Sequence, residues 1–97
     1  MSKKPPVYMM ASKPKGTLYI GVTSNLHQRI WQHKNEVVDG FTKKYSTHTL
    51  VYYEVDETME SAILREKQLK HFKREWKIEL IHEQNPNWED LYDAIAQ

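Results

Sequence analysis

Residues 17–34 read TLYIGVTSNLHQRIWQHK. Leu18-Tyr19-Ile20 is an apolar, strand-prone run that stops at Gly21. Thr23-Ser24-Asn25 then offers three oxygen-bearing side chains able to accept from the free N–H groups of a helix start. Leu26 and Ile30, four apart, give the segment from about 26 to 36 an apolar face. The unit is therefore a strand (17–21), a tight turn and a capped helix.

On its N-terminal side, residues 7–11 form another short apolar run. Ser12-Lys13-Pro14-Lys15-Gly16 joins the two with proline and glycine as breakers, which predicts an antiparallel hairpin. On the C-terminal side, residues 37–48 form a polar, glycine-containing connection. Residues 49–55, TLVYYEV, are β-branched and aromatic and predict a third strand. Asp56-Glu57-Thr58 opens a helix over 59–73, with acids placed where the helix dipole favours them. Leu69, Phe72, Trp76 and Leu80 share one face but Ile78 and Ile81 leave it, so a break is expected near 73–76 and a second helix runs to about 83. Asn85-Pro86-Asn87 stops that helix and caps a last one, in which Trp88, Leu91, Tyr92 and Ile95 follow helical spacing. The expectation is one mixed α/β (α+β) domain over residues 1–97, with 1–6 as a flexible lead. It has a three-stranded antiparallel sheet, element order β-β-α-β-α-α-α, and helices packed around the sheet.

The chain has 97 residues, 39% hydrophobic and 28% charged, enough for one modest core. Cysteine is absent, so disulfides and thiolate metal sites are excluded and a cytoplasmic setting is expected. No signal-like segment or long apolar run suggests a membrane partner. The net charge of +1 hides a polar division. Residues 1–53 hold eight cations against two acids, whereas 54–97 hold six against eleven. Within the second half, residues 65–77 (REKQLKHFKREWK) carry six cations and two acids, and 79–97 carry five acids and no lysine or arginine. This segregation suggests a basic face that could meet a polyanion and an acidic segment that could dock a protein partner.

Glu66 is a misfit. Its helical neighbours at i±3 and i±4 are Ala62, Ile63, Leu69 and Lys70, which puts a carboxylate in an apolar stripe. Burying it unpaired costs several kcal/mol, so it is either ion-paired to Lys70 or a ligand for a hard divalent cation or a catalytic acid. Arg29 and His33, four apart, point the same way from the first helix. Arginine offers a fork of donors suited to phosphate, and histidine exchanges protons near neutrality. Tyr8 and Tyr19 fall on the paired hairpin strands. Gly21 allows another backbone, or a ligand, to come close. No two of His27, His33, His48, His71 and His82 share i, i+3 or i+4 spacing, so a histidine-rich zinc site is not expected.

As an ordered set, Tyr8, Tyr19-Ile20-Gly21, Arg29, His33 and Glu66 resemble the GIY-YIG endonuclease superfamily, in particular its small single-domain bacterial members. The second half of the name motif is complete, while Pro6-Val7-Tyr8 keeps only the tyrosine of the first. Asn85 and Asn87 fall too late to stand in for the asparagine larger members carry. The resemblance implies a metal-dependent endonuclease hydrolysing phosphodiester bonds in DNA, with RNA as the alternative nucleic-acid partner, with weak or structure-based selectivity, acting as a monomer. The alternative is a catalytically weak nucleic-acid-binding module of the same fold. By similarity Glu66 holds one Mg2+ or Mn2+, Arg29 neutralises the phosphate, Tyr8 or Tyr19 activates water, and His33 relays a proton or binds phosphate. Lys43, Lys44 and Tyr45, together with Lys70, Lys73 and Arg74 of the basic stretch, are the expected nucleic-acid contacts.

Overall fold

The computed structural model describes residues 4–37 and 45–95. Three strands, β1 (Pro6–Ala11), β2 (Leu18–Val22) and β3 (Thr49–Val55), form an antiparallel sheet in the order β2-β1-β3. Among the described residues four helices follow or separate them: α1 (Leu26–Lys34), α2 (Met59–His71), α3 (Arg74–Gln84) and α4 (Tyr92–Ile95). This is the expected α+β arrangement and order.

The first strand of the hairpin takes the centre of the sheet, and every residue in it is buried. Strand side chains alternate between faces, and here that alternation separates two cores. Val7, Met9 and Ala11 meet Ile20, Ala62, Leu69 and Ile81 on the α2–α3 side. Tyr8 and Met10 meet Ile30 and Leu50 on the α1–α4 side. The register slips between Met9, opposite Tyr52, and Met10, opposite Leu50. Val51 is the extra residue of that bulge, so Val51 and Tyr52 both serve the α2–α3 core while Leu50 and Tyr53 serve the other.

The α1 start is as read. Asn25 is the cap and accepts from Gln28 N, while Thr23 Oγ1 accepts from Asn25 N at 3.1 Å. The helix ends at Lys34, short of the expected 36, because Glu36 takes φ 54°. Of the lead expected over 1–6, residues 1–3 lie outside the described residues. Pro5 O accepts from Asp56 N at 3.0 Å and Pro6 already belongs to β1.

The break after α2 falls at Phe72 and Lys73, both extended, slightly before the expected 73–76. The last helix differs more. Trp88 is not helical: it is buried with φ 55°, and only Tyr92–Ile95 coils. The physical reason is Asn85, 5% exposed, which forms a clamp in place of the expected cap. Its Nδ2 donates to Val51 O at 3.2 Å and Glu89 O at 2.7 Å, and its Oδ1 accepts from Glu89 N at 3.0 Å. Those bonds lay residues 85–91 along the edge of β3, and Leu91 N continues them to Leu50 O at 2.8 Å. One sheet edge is thus covered; β2 forms the other.

Candidate active site

Tyr8 stands opposite Gly21 in the β1–β2 ladder, and Tyr19 opposite Met10. Both tyrosines face α1. The Tyr8 ring lies across the backbone at Gly21, so closely that a Cβ there would sit 2.5 Å from its hydroxyl. The glycine of the Tyr19-Ile20-Gly21 run therefore makes room for the protein's own tyrosine; its φ is not in the left-handed region.

His33, on the inward face of α1 and 2% exposed, completes the cluster. Its ring centroid lies 5.8 Å from that of Tyr8 and 5.2 Å from that of Tyr19, and the two tyrosines are 6.2 Å apart. His33 Nε2 and the Tyr8 hydroxyl are 2.8 Å apart. Arg29 lies one turn earlier on α1, and its guanidinium and the Tyr19 hydroxyl both act on the Tyr8 phenol.

Burial, then the charges of Arg29 and His48, push the His33 pKa down to about 4. The ring is therefore neutral at pH 7, and in the tautomer with its proton on Nδ1, Nε2 accepts from the Tyr8 hydroxyl. Burial also holds the Tyr8 phenol well above the usual tyrosine range; Tyr19 adds to this and Arg29 opposes it. A free Tyr8 phenolate is not the resting state. Of the two candidate tyrosines, Tyr8 is fully buried and Tyr19 half-buried, so Tyr19 is the one that can meet a substrate.

Glu66 arrives from the other side of the sheet. It sits between the fully buried Ala62 and Leu69 on α2, which packs against β2 and β1. Its side chain is 17% exposed, and Lys70 Nζ is 3.4 Å from its Oε2. Both readings of the misfit thus bear on one residue: the carboxylate is in the stripe, and it is ion-paired at i+4. β2, the open edge of the sheet, carries Tyr19 and packs against α2, the helix that carries Glu66. There a cleft of about 240 Å³ is lined by Leu18, Tyr19, Ile20, Lys70 and Lys77. Tyr19 comes from the α1 face and Lys70, the partner of Glu66, from the α2 face.

Among the described residues no three histidine or acidic side chains cluster as metal ligands. What remains is a single hard carboxylate with Oε1 outside its ion pair. That donor suits Mg2+ or Mn2+, which keep most of their waters, and does not suit zinc.

The other expected contacts disperse. Lys70 borders the cleft. Lys73 Nζ lies 5.5 Å from the centroid of the Trp76 ring. Arg74 Nη2 donates to Lys15 O at 2.5 Å and Gly16 O at 2.6 Å, which ties it to the β1–β2 turn. Tyr45 is exposed, and Lys43 and Lys44 lie outside the described residues. In the acidic segment, Asp90 is used internally, pairing with Lys34 and accepting from Leu50 N.

Sequence spacing overlooked two residues. His48 acts on His33 electrostatically, and its Nε2 lies 3.5 Å from Glu36 Oε1. Lys77 enters the cleft from α3. Neither is an i, i+3 or i+4 neighbour of Tyr8, Tyr19, Arg29, His33 or Glu66. Only the positive charge of residues 65–77 hinted at Lys77.

The GIY-YIG catalytic domain family model matches residues 4–79. Similar proteins include a UPF0213 protein of Staphylococcus saprophyticus, 35% identical over 77 residues, which are 79% of this chain and 93% of its own. A UPF0213 protein of Staphylococcus haemolyticus is 34% identical over the same shares, 79% and 93%. A UPF0213 protein of Clostridium perfringens is 36% identical over 75 residues, 77% of this chain and 80% of its own. No solved structure matches the chain significantly.

Proposed function

The chain belongs to the GIY-YIG family of nuclease-type catalytic domains, and on that premise we propose that it is a metal-dependent endonuclease that hydrolyses phosphodiester bonds in DNA. The observation that carries the reading is the cluster of Tyr8, Tyr19, Arg29 and His33, with Tyr19 lining a cleft that is also lined by Lys70, the ion-pair partner of Glu66.

Arg29 faces the phosphate and neutralises charge that grows on its non-bridging oxygens. Water attacks from the Tyr19 side. A lone tyrosine, with an ordinary pKa near 10, is a poor base at neutral pH; three linked groups avoid that problem. The water proton passes to Tyr19, the Tyr19 proton to the Tyr8 hydroxyl, and the Tyr8 proton to neutral His33 Nε2 over the 2.8 Å hydrogen bond. Bound phosphate offsets the Arg29 charge that depresses His33, so the ring gains proton affinity when substrate is present. A divalent ion on Glu66 would polarise the phosphate and stabilise the leaving 3′ oxygen. Lys70, released from Glu66 in that state, would turn to substrate phosphate.

Lys70 and the basic stretch around it support backbone contacts, and no separate base-reading element is present among the described residues. Selectivity is accordingly weak or structure-based. The absence of cysteine supports action in a reducing cytoplasm, and no helix among the described residues is long and apolar enough to cross a membrane.

The second reading, a binding module that cleaves poorly, draws on the Glu66–Lys70 ion pair, which leaves the carboxylate already neutralised. One assay separates the two. Supercoiled plasmid, single-stranded and branched DNA are incubated with protein and Mg2+ or Mn2+, with Glu66→Ala and chelator as controls. Cleavage lost in both controls supports the enzyme; salt-sensitive binding without cleavage supports the module. RNA in parallel decides whether the sugar matters.

A further inference from the structure

Trp76 has a setting that the hydrolytic cluster does not use. It is 46% exposed on α3, in the most basic part of the chain. A tryptophan at that exposure leaves a large apolar face in water, which costs free energy unless something covers it. The ring is nevertheless well held. Its edge packs against Phe72 at 5.5 Å and 88°, and Phe72 is itself packed on the α2–α3 core. Lys73 Nζ lies 5.5 Å from its centroid. Its sequence neighbour Lys77 lines the cleft with Lys70 and Tyr19. The result is a held aromatic ring one residue before Lys77, which with Lys70 lines the cleft at the edge of β2.

We propose that Trp76 is a stacking site for an unpaired nucleobase, with Lys70 and Lys77 holding the adjoining phosphates, so that the protein prefers single-stranded nucleic acid or single-stranded branches over duplex. In a duplex the base faces are covered by their neighbours and have nothing to offer a protein ring. An unpaired base exposes both faces, and stacking on an aromatic side chain tolerates any sequence. The lysines supply the complementary charge. A neutral apolar partner would use the platform but would leave the flanking lysines without purpose.

This inference rests on the nucleic-acid reading above, and the test keeps the two apart. Binding of fluorescent single-stranded and duplex oligonucleotides is measured at several salt concentrations for wild type, Trp76→Ala, Trp76→Phe, Lys77→Gln and the control Trp31→Ala, which removes an equally exposed tryptophan from α1. Trp76→Ala is expected to weaken single-strand binding about 10-fold and to leave duplex binding within about twofold, with an unchanged salt slope. Trp76→Phe keeps most of the affinity. Lys77→Gln lowers the single-strand salt slope by roughly 0.7. Trp31→Ala changes nothing. Salt-dependent binding by wild type that Trp76→Ala leaves intact, or lowers equally for both strands and duplex, overturns the platform alone. Loss of self-association in Trp76→Ala without loss of binding also overturns it, in favour of a dimer face. Wild type that binds neither oligonucleotide overturns the nucleic-acid reading and the platform together.

Discussion

Adding one methyl group at Gly21 tests the geometry of the cluster without touching any group that does chemistry. A Cβ at that position would lie 2.5 Å from the Tyr8 hydroxyl, 2.6 Å from Cζ and 3.0 Å from Cε1, against ordinary contacts of 3.4 Å or more. Tyr8 is fully buried, so its ring has no solvent to swing into. It must retreat by about 1 Å, which stretches its 2.8 Å bond to His33 past the limit for a hydrogen bond. Overpacking of this size costs about 1–3 kcal/mol, and a buried hydroxyl left without a partner adds about 1–3 more. Because one movement relieves both, the expected loss is about 2–4 kcal/mol, or a Tm lower by roughly 10–25 °C for a domain this small. Denaturant unfolding of Gly21→Ala gives the first number, and histidine NMR follows the loosened His33 ring. A double-mutant cycle with Tyr8→Leu, which vacates the space, should return at least ~1 kcal/mol of coupling. A loss under ~0.5 kcal/mol with an unchanged His33 signal would falsify the claim that this glycine exists to seat Tyr8.

His33 gives a pH signature of definite sign. Its folded pKa, about 4, lies below the ordinary 6.5, so between those values the unfolded chain binds a proton that the folded one refuses. Stability therefore falls as pH drops through that window, by about 3 kcal/mol at its foot. His33→Gln should lose that part of the pH dependence; an identical profile in the variant refutes the assignment. Asn85→Ala removes three hydrogen bonds at a buried site and should cost about 2–4 kcal/mol while leaving the His33 titration untouched. A cost under ~1 kcal/mol would mean that the clamp is not what fastens residues 85–91. Tyr19→Phe should lower cleavage by roughly 10²-fold or more with little change in stability, whereas Tyr8→Phe should lower both, since it also removes the hydroxyl bonded to buried His33. Near-normal cleavage by both single variants and by their combination would remove the tyrosine relay.

What the chain discloses locally was readable from it. TLVYYEV marks β3 without error at either end, because β-branched and aromatic residues there are bounded by polar turns. The cap of α1 falls within Thr23-Ser24-Asn25, the three candidates read from the sequence, at Asn25. The hydrophobic phase change after Leu69 places the α2–α3 break to within a residue or two. What was not readable depends on partners far along the chain. Trp88, Leu91, Tyr92 and Ile95 have helical spacing, yet Asn85 and the exposed edge of β3 hold the first of them outside any helix. The bulge at Val51 carries no residue signal, although it decides which core Tyr52 and Tyr53 enter. Arg74 looks like any other cation of the basic stretch until the turn at Lys15 and Gly16 is seen to receive it. Periodicity placed Glu66 in its stripe. It did not show that the sheet stands between that residue and the tyrosines.

That separation makes the open edge of β2 the decisive place. Mn2+ broadens NMR signals near the site where it is bound, so a substoichiometric titration reports the position of the ion without any need for turnover. The account predicts selective broadening of Tyr19 and of residues along the β2 edge, extending to His33, all abolished by Glu66→Gln. Broadening confined to the acidic residues 79–95, or broadening at β2 that survives Glu66→Gln, would contradict it.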